Sequence, residues 1–220
     1  MMTRPKQRLV FFALFTTLGF ASLQIPFNKL VGSNVSFTLF DFFAPIAGAF
    51  LGPIYGIVSV LGVEITNNVI KQTPWTTGTI IRLFPTLFAT FYFATVSKKG
   101  PNNWILAVPF LAILAFLAHP NGRQVPQYTL FWIIPLIAYR FRHNLYMRSL
   151  GATFSAHAVG GAAWIWTFNL SPAVWNSLIP VVISERLLFA AGIAGSFLVM
   201  KHTLNYLISK GVLPKISFSL

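Results

Sequence analysis

Apolar residues in this chain come in long unbroken runs divided by short polar punctuation. The runs fall at about residues 9–27, 37–51, 54–70, 78–96, 104–118, 128–139, 150–168 and 182–205. A barrel strand alternates apolar and polar positions. Ile105 to Ala118 and Leu187 to Met200 do not alternate, so the pattern predicts helices. Gly52 suits a helix C-terminus and Pro53 the first turn of the next helix, which predicts a tight turn between the second and third segments. The last apolar stretch, Val174 to Ile208, is longer than the roughly 20 residues that cross a bilayer. Pro180 and the Glu185–Arg186 pair are expected to divide it into an outer turn or half-helix and a crossing helix. Eight crossings follow, with six as the alternative if residues 104–139 are partly re-entrant.

Composition agrees with the pattern. The chain has 220 residues, 55% apolar and 9% charged, whereas soluble domains carry about 25% charged residues. Mean hydropathy is +0.70. The expected class is an all-α integral membrane protein, a compact bundle of six to eight transmembrane helices forming one domain over residues 1–220. A basic start (Arg4, Lys6, Arg8) precedes the first run and resembles a signal peptide. The run continues to Phe27 with nothing soluble behind it, so a retained first span is favoured.

Net charge is +13, with Asp41, Glu64 and Glu185 the only acids. The basic residues are spread along short loops and not gathered in a patch, which argues against nucleic acid and for membrane lipids as the partner. Most of them, including Lys98, Lys99, Arg140, Arg142, Arg148 and Lys215, fall on one side of the predicted spans. That bias places both termini in the cytoplasm. The chain has no cysteine, so disulfides and thiolate metal sites are excluded. The histidines show no metal-site spacing, no GxSxG is present, and no Walker motif is present, so uphill transport would need a partner ATPase or an ion gradient.

The polar residues inside the spans are few, and the predicted topology brings them to one side. Glu64, Asn67 and Asn68 are spaced i, i+3, i+4 and share a helix face. Arg82 lies in the outer half of the fourth span, His157 near the middle of the seventh, and Glu185 and Arg186 in the last. Asp41 stands at the outer start of the second span. Charged groups at mid-bilayer cost about 2.5–3.5 kcal/mol on insertion scales, so these must pair or face water or a ligand. Either role fits: ion pairs between spans, Glu64 with Arg82 among them, or a ligand site. Lys71, Arg82, Arg123 and Arg186 lean toward a carboxylate- or phosphate-bearing ligand. Trp164 and Trp166 are two apart, so at most one faces the cavity. Ala13, Thr17 and Ala21 repeat at i, i+4, i+8, which suits close helix approach, either inside the protein or to a partner subunit.

The segment FAPIAGAFLGPIYGIVSVLGVEITN, with its Gly52-Pro53-Ile54-Tyr55-Gly56 turn, resembles the second and third helices of substrate-binding S components of energy-coupling factor (ECF) transporters. The Ala13-Thr17-Ala21 repeat resembles the face with which that family's first helix meets its coupling subunit. His157-Ala-Val-Gly-Gly, followed by Asn176, Pro180 and a final helix, is similar to its closing helix pair. The resemblance covers residues 9–97 well and 150–208 loosely; residues 104–139 look like an added pair. It implies a multi-pass subunit of a prokaryotic cell membrane that captures a vitamin-like small molecule from outside, with loops after spans one and three gating the pocket. Its partners would be a transmembrane coupling subunit and two ATPase subunits, with no cofactor and no catalysis of its own. The contrasting expectations are a small intramembrane enzyme using Glu64, Glu185 and His157, and a non-transporting membrane scaffold.

Overall fold

The computed structural model describes residues 4–29, 36–97 and 103–214. Lys98, Lys99 and Lys215, counted above for orientation, lie outside the described residues. Helix α1 (Arg4–Leu23) is followed by a short antiparallel pair of strands, β1 (Pro26–Lys29) and β2 (Ser36–Thr38). The first apolar run was expected to stay helical to Phe27. It stops earlier because Pro26 offers no backbone N–H and disfavours helical geometry in the residue before it.

Helices α2 (Phe40–Leu51) and α3 (Pro53–Ile70) form the predicted tight hairpin. Gly52 has φ of +85°, a conformation that disfavours other residues, and Pro53 opens α3. The hairpin closes by glycine on glycine: a Cβ on Gly56 would lie 2.6 Å from the Cα of Gly48. Helix α4 (Thr77–Val96) returns, capped by the Thr76 hydroxyl, which accepts from the Thr79 N–H.

A 3₁₀ turn (Asn103–Leu106) leads into α5 (Ala107–Ala118) and the single turn α6 (Pro120–Arg123). The expected sixth span is built differently from its neighbours. Residues Pro126–Ile133 are 3₁₀ and only Ile134–Arg140 (α7) is α-helical. Prolines at 126 and 135 interrupt the i→i+4 ladder here. Helix α8 (Leu145–Phe168) begins earlier than its apolar run, because Asn144 caps it by accepting from the Met147 N–H.

Helix α9 (Pro172–Ser209) is one continuous helix of 38 residues, with Pro180 inside it. The expected division at Pro180 and Glu185–Arg186 does not occur. A proline removes only its own backbone bond, and α8 and α2 pack against α9 and hold it in line.

Helices α4 and α8 lie against each other at the centre; α2 and α3 cover α4, and α5, α7 and α9 cover α8. The core divides in two. One cluster gathers Phe11, Phe15, Phe50, Phe93 and Phe197. The other gathers Phe116, Tyr128, Trp132, Ile165 and Trp175. Three helices, α3, α4 and α9, are long and apolar enough to cross a membrane. Their outer surfaces, and those of α5 and α7, expose large apolar side chains such as Ile54, Phe84, Leu111, Ile137 and Val199.

Candidate functional site

Between the two core clusters, at the end of the bundle where α1 finishes and α2 begins, lies a cavity of about 500 Å³. The start of α2 supplies Phe40 and Asp41. The later part of α3 supplies Glu64, and α4 supplies Arg82, Pro85, Thr86 and Ala89. Helix α8 contributes Thr153, His157, Gly160, Gly161 and Trp164. Helix α9 contributes Trp175, Glu185, Arg186 and Phe189, and β2 closes one side with Ser36, Phe37 and Thr38.

Each polar group has a defined setting. Asp41 is half-buried, and its Oδ2 accepts from the Thr38 N–H at 2.8 Å, tying β2 to the first turn of α2. Glu64 accepts from the Thr86 hydroxyl at 2.5 Å through Oε1, while its buried Oε2 has no partner. Arg82 is exposed at the rim. The expected Glu64–Arg82 ion pair does not form: the only ion pair among the described residues joins Arg186 Nη2 to Glu185 Oε2 at 3.6 Å. Thr86, four residues beyond Arg82, takes the glutamate instead.

Glu185 and Arg186 are each 8% exposed. Arg186 also donates to the Thr153 hydroxyl at 3.3 Å, and its guanidinium lies 4.3 Å from the Phe189 ring centre and 5.5 Å from that of Phe37. Its Nε, Glu185 Oε1, Trp175 Nε1 and Thr38 Oγ1 are buried without partners.

His157 is locked from two sides by the segment before α7. An indole N–H can only donate, so Trp132 Nε1, 3.0 Å from His157 Nδ1, makes that nitrogen an acceptor. The ring proton then sits on Nε2, 3.1 Å from the Tyr128 hydroxyl oxygen, and is donated to it. Tyr128 lines the cavity with its own hydroxyl proton left to give.

The structure therefore brings together Asp41, Glu64, Arg82, His157, Trp164, Glu185 and Arg186. It does not bring in Asn67 or Asn68, which share a face with Glu64 but lie one turn, about 5 Å, further along α3. Asn67 instead accepts from the Gln24 amide at 3.1 Å. Trp166 points away, 56% exposed, and donates to the Ala115 carbonyl at 2.8 Å. Two of the cations expected to favour an anionic ligand are absent from the lining. Arg123 is spent on the Leu117 and Ala118 carbonyls, and Lys71 follows the end of α3. Ala13, Thr17 and Ala21 are all exposed along α1, so the internal-packing alternative fails for them. That role falls to Phe11, Phe15 and Thr16, whose hydroxyl lies 2.9 Å from that of Ser59.

Sequence reasoning missed Thr86, Tyr128, Trp132, Thr153 and Trp175. Two of these carried a spacing signal: Thr86 is four residues after Arg82 and Thr153 four before His157, each on a shared helical side. Among the described residues, no three of His, Asp and Glu cluster to hold a metal ion.

No protein-family model matches the chain, and no solved structure matches it. The chain is 24% identical over 216 residues to an uncharacterized protein of Methanocaldococcus jannaschii, covering 90% of this chain and 71% of that one.

Proposed function

We propose that this chain is a multi-pass protein of a prokaryotic cell membrane that captures a small molecule in the cavity, as the substrate-binding subunit of an ECF-type importer. The observation that carries the reading is the cavity itself. A chain with almost no charge inside its apolar segments gathers what it has around one cavity of about 500 Å³, within the usual size range of ligand pockets. Several of those groups lack partners, which is costly in a buried place unless a ligand or water completes them. The exposed apolar sides of α3, α4, α5 and α9 suit lipid contact.

An eight-crossing bundle fits most of the segment lengths, although α2, with 12 residues, reaches only about 18 Å. The stretch from Pro126 to Arg140 combines 8 residues of 3₁₀ with 7 of α-helix. At about 2.0 and 1.5 Å per residue it reaches roughly 26 Å, close to the hydrocarbon thickness of about 30 Å. On this reading both termini are cytoplasmic and the cavity opens outward. The β1–β2 hairpin after α1 is part of its wall, whereas the loop after α3 is not. The exposed Ala13-Thr17-Ala21 stripe is the docking face for the coupling subunit, which brings the two ATPase subunits.

The test is mass spectrometry of small molecules released from gently purified protein, with co-purification of an ATPase-bearing coupling module. A released compound lost in a Glu64→Ala or Arg186→Ala variant is the expected result. Recovery of lipid alone, with no coupling module, would overturn the reading.

A further inference from the structure

All three acidic residues of a chain with net charge +13 line this one cavity. Among the described lysine and arginine side chains, only Arg82 and Arg186 do. Counted in their ionised forms among the described side chains, three carboxylates against two guanidinium groups leave one negative charge in excess, the reverse of the chain as a whole. Attraction to anionic lipid explains scattered cations; it offers no reason to collect every carboxylate around an internal space.

The two arginines do not cancel the excess locally. Arg186 is held by Glu185, by Thr153 and by the rings of Phe189 and Phe37. Arg82 is exposed at the rim. Acceptor atoms remain: Glu64 Oε2 and Glu185 Oε1 are buried and unpartnered, the latter on a residue only 8% exposed. Neutral donors remain as well. Trp175, 2% exposed, has an unpartnered indole N–H, and Tyr128 keeps its hydroxyl proton because His157 donates to its oxygen. The walls are aromatic, and ring faces attract cations.

Resting on the capture reading, we infer that the ligand is a small organic monocation: a protonated amine or amidinium-type nitrogen for the carboxylates, carried on a flat body with a neutral hydrogen-bond acceptor for Tyr128 and Trp175. An anionic ligand would meet the carboxylate side unpaired, and a zwitterion would leave the excess charge uncompensated.

The experiment compares three probes of nearly equal shape, benzamidinium, benzamide and benzoate, by thermal stability of the purified full-length protein in detergent, alongside the charge of any compound released from it. Benzamidinium is expected to stabilise most. Glu64→Gln and Asp41→Asn should each weaken it about tenfold or more, the scale of a hydrogen bond to a charged group, and weaken benzamide less. Arg82→Gln should strengthen it, and Lys71→Gln, away from the cavity, should do nothing. A purely structural role for these residues predicts no dependence on the sign of the probe. Preference for benzoate, or release of an anionic or neutral compound, overturns the cation assignment and leaves capture standing. No response to any probe together with no released compound overturns both.

Discussion

The two ends of this bundle bury polar groups on opposite terms. At the end of the Gly52–Pro53 turn, backbones touch and most polar side chains are answered inside the protein. Tyr92 donates to the Pro135 carbonyl at 2.8 Å, and Ser97 donates to the Phe93 carbonyl at 2.5 Å. Arg148, with no acid beside it, lies against the rings of Phe93 and Phe197 at 4.7 and 5.1 Å. At the cavity end the same helices diverge. Of seven buried side-chain atoms without a partner among the described residues, five belong to cavity-lining residues. Outside the cavity only Arg148 Nε and Ser155 Oγ are left without a partner among the described residues. The contrast separates the end that holds the fold from the end that leaves polar groups open.

The largest expected effect breaks the cavity end. Glu185→Leu leaves Arg186 buried without its acid and should cost about 3 kcal/mol in unfolding experiments in detergent. Glu185→Leu with Arg186→Leu should recover most of that, because an apolar pair of similar volume needs no desolvation. Failure of the double variant to recover would mean that the pair is needed for the fold itself.

The next breaks the packed end. A Cβ on Gly48 would sit 2.4 Å from the Thr90 carbonyl oxygen, a backbone atom that cannot swing aside. Gly48→Val should therefore cost about 2–3 kcal/mol by overpacking. The loss should be equal with and without a stabilising small molecule, whereas cavity-end variants should also lose the ligand's contribution.

A smaller effect sharpens the role of Glu64. Thr86→Val removes the hydroxyl that donates to Oε1 and leaves both carboxylate oxygens unpartnered. It should cost about 1–2 kcal/mol in the unliganded protein, and less once a cation is bound. The smallest effect is a control of opposite sign. A Cβ on Gly62 meets nothing within 4 Å, so Gly62→Ala should stabilise by up to about 1 kcal/mol through helix propensity. A large loss there would point to a partner or lipid contact on that face of α3.

Much of this was legible in the amino-acid order because apolar runs and punctuation act locally. Gly52 and Pro53 mark the α2–α3 turn by backbone chemistry alone, and Asp41, Glu64, Arg82, His157, Glu185 and Arg186 stand out because charge and imidazole are rare in apolar helices. Serines and threonines are common in such helices, so Thr86 and Thr153 carried no comparable mark. Asn67 and Asn68 stood out equally and yet belong elsewhere: helical periodicity gives the face of α3 but not the depth at which the cavity ends.

The order of residues by itself determined an apolar helical chain, its main breaks, and a short roster of polar groups with few places to go. Only the tertiary structure decided how they combine. It paired Glu185 with its own neighbour Arg186, gave Glu64 to a threonine, fixed the His157 proton between Trp132 and Tyr128, and turned Ala13, Thr17 and Ala21 outward. The physical reason is range. Propensity and periodicity act over a few residues, whereas a hydrogen bond of about 3 Å between helices depends on how far each is rotated and slid against its neighbours, which packing at every other contact sets.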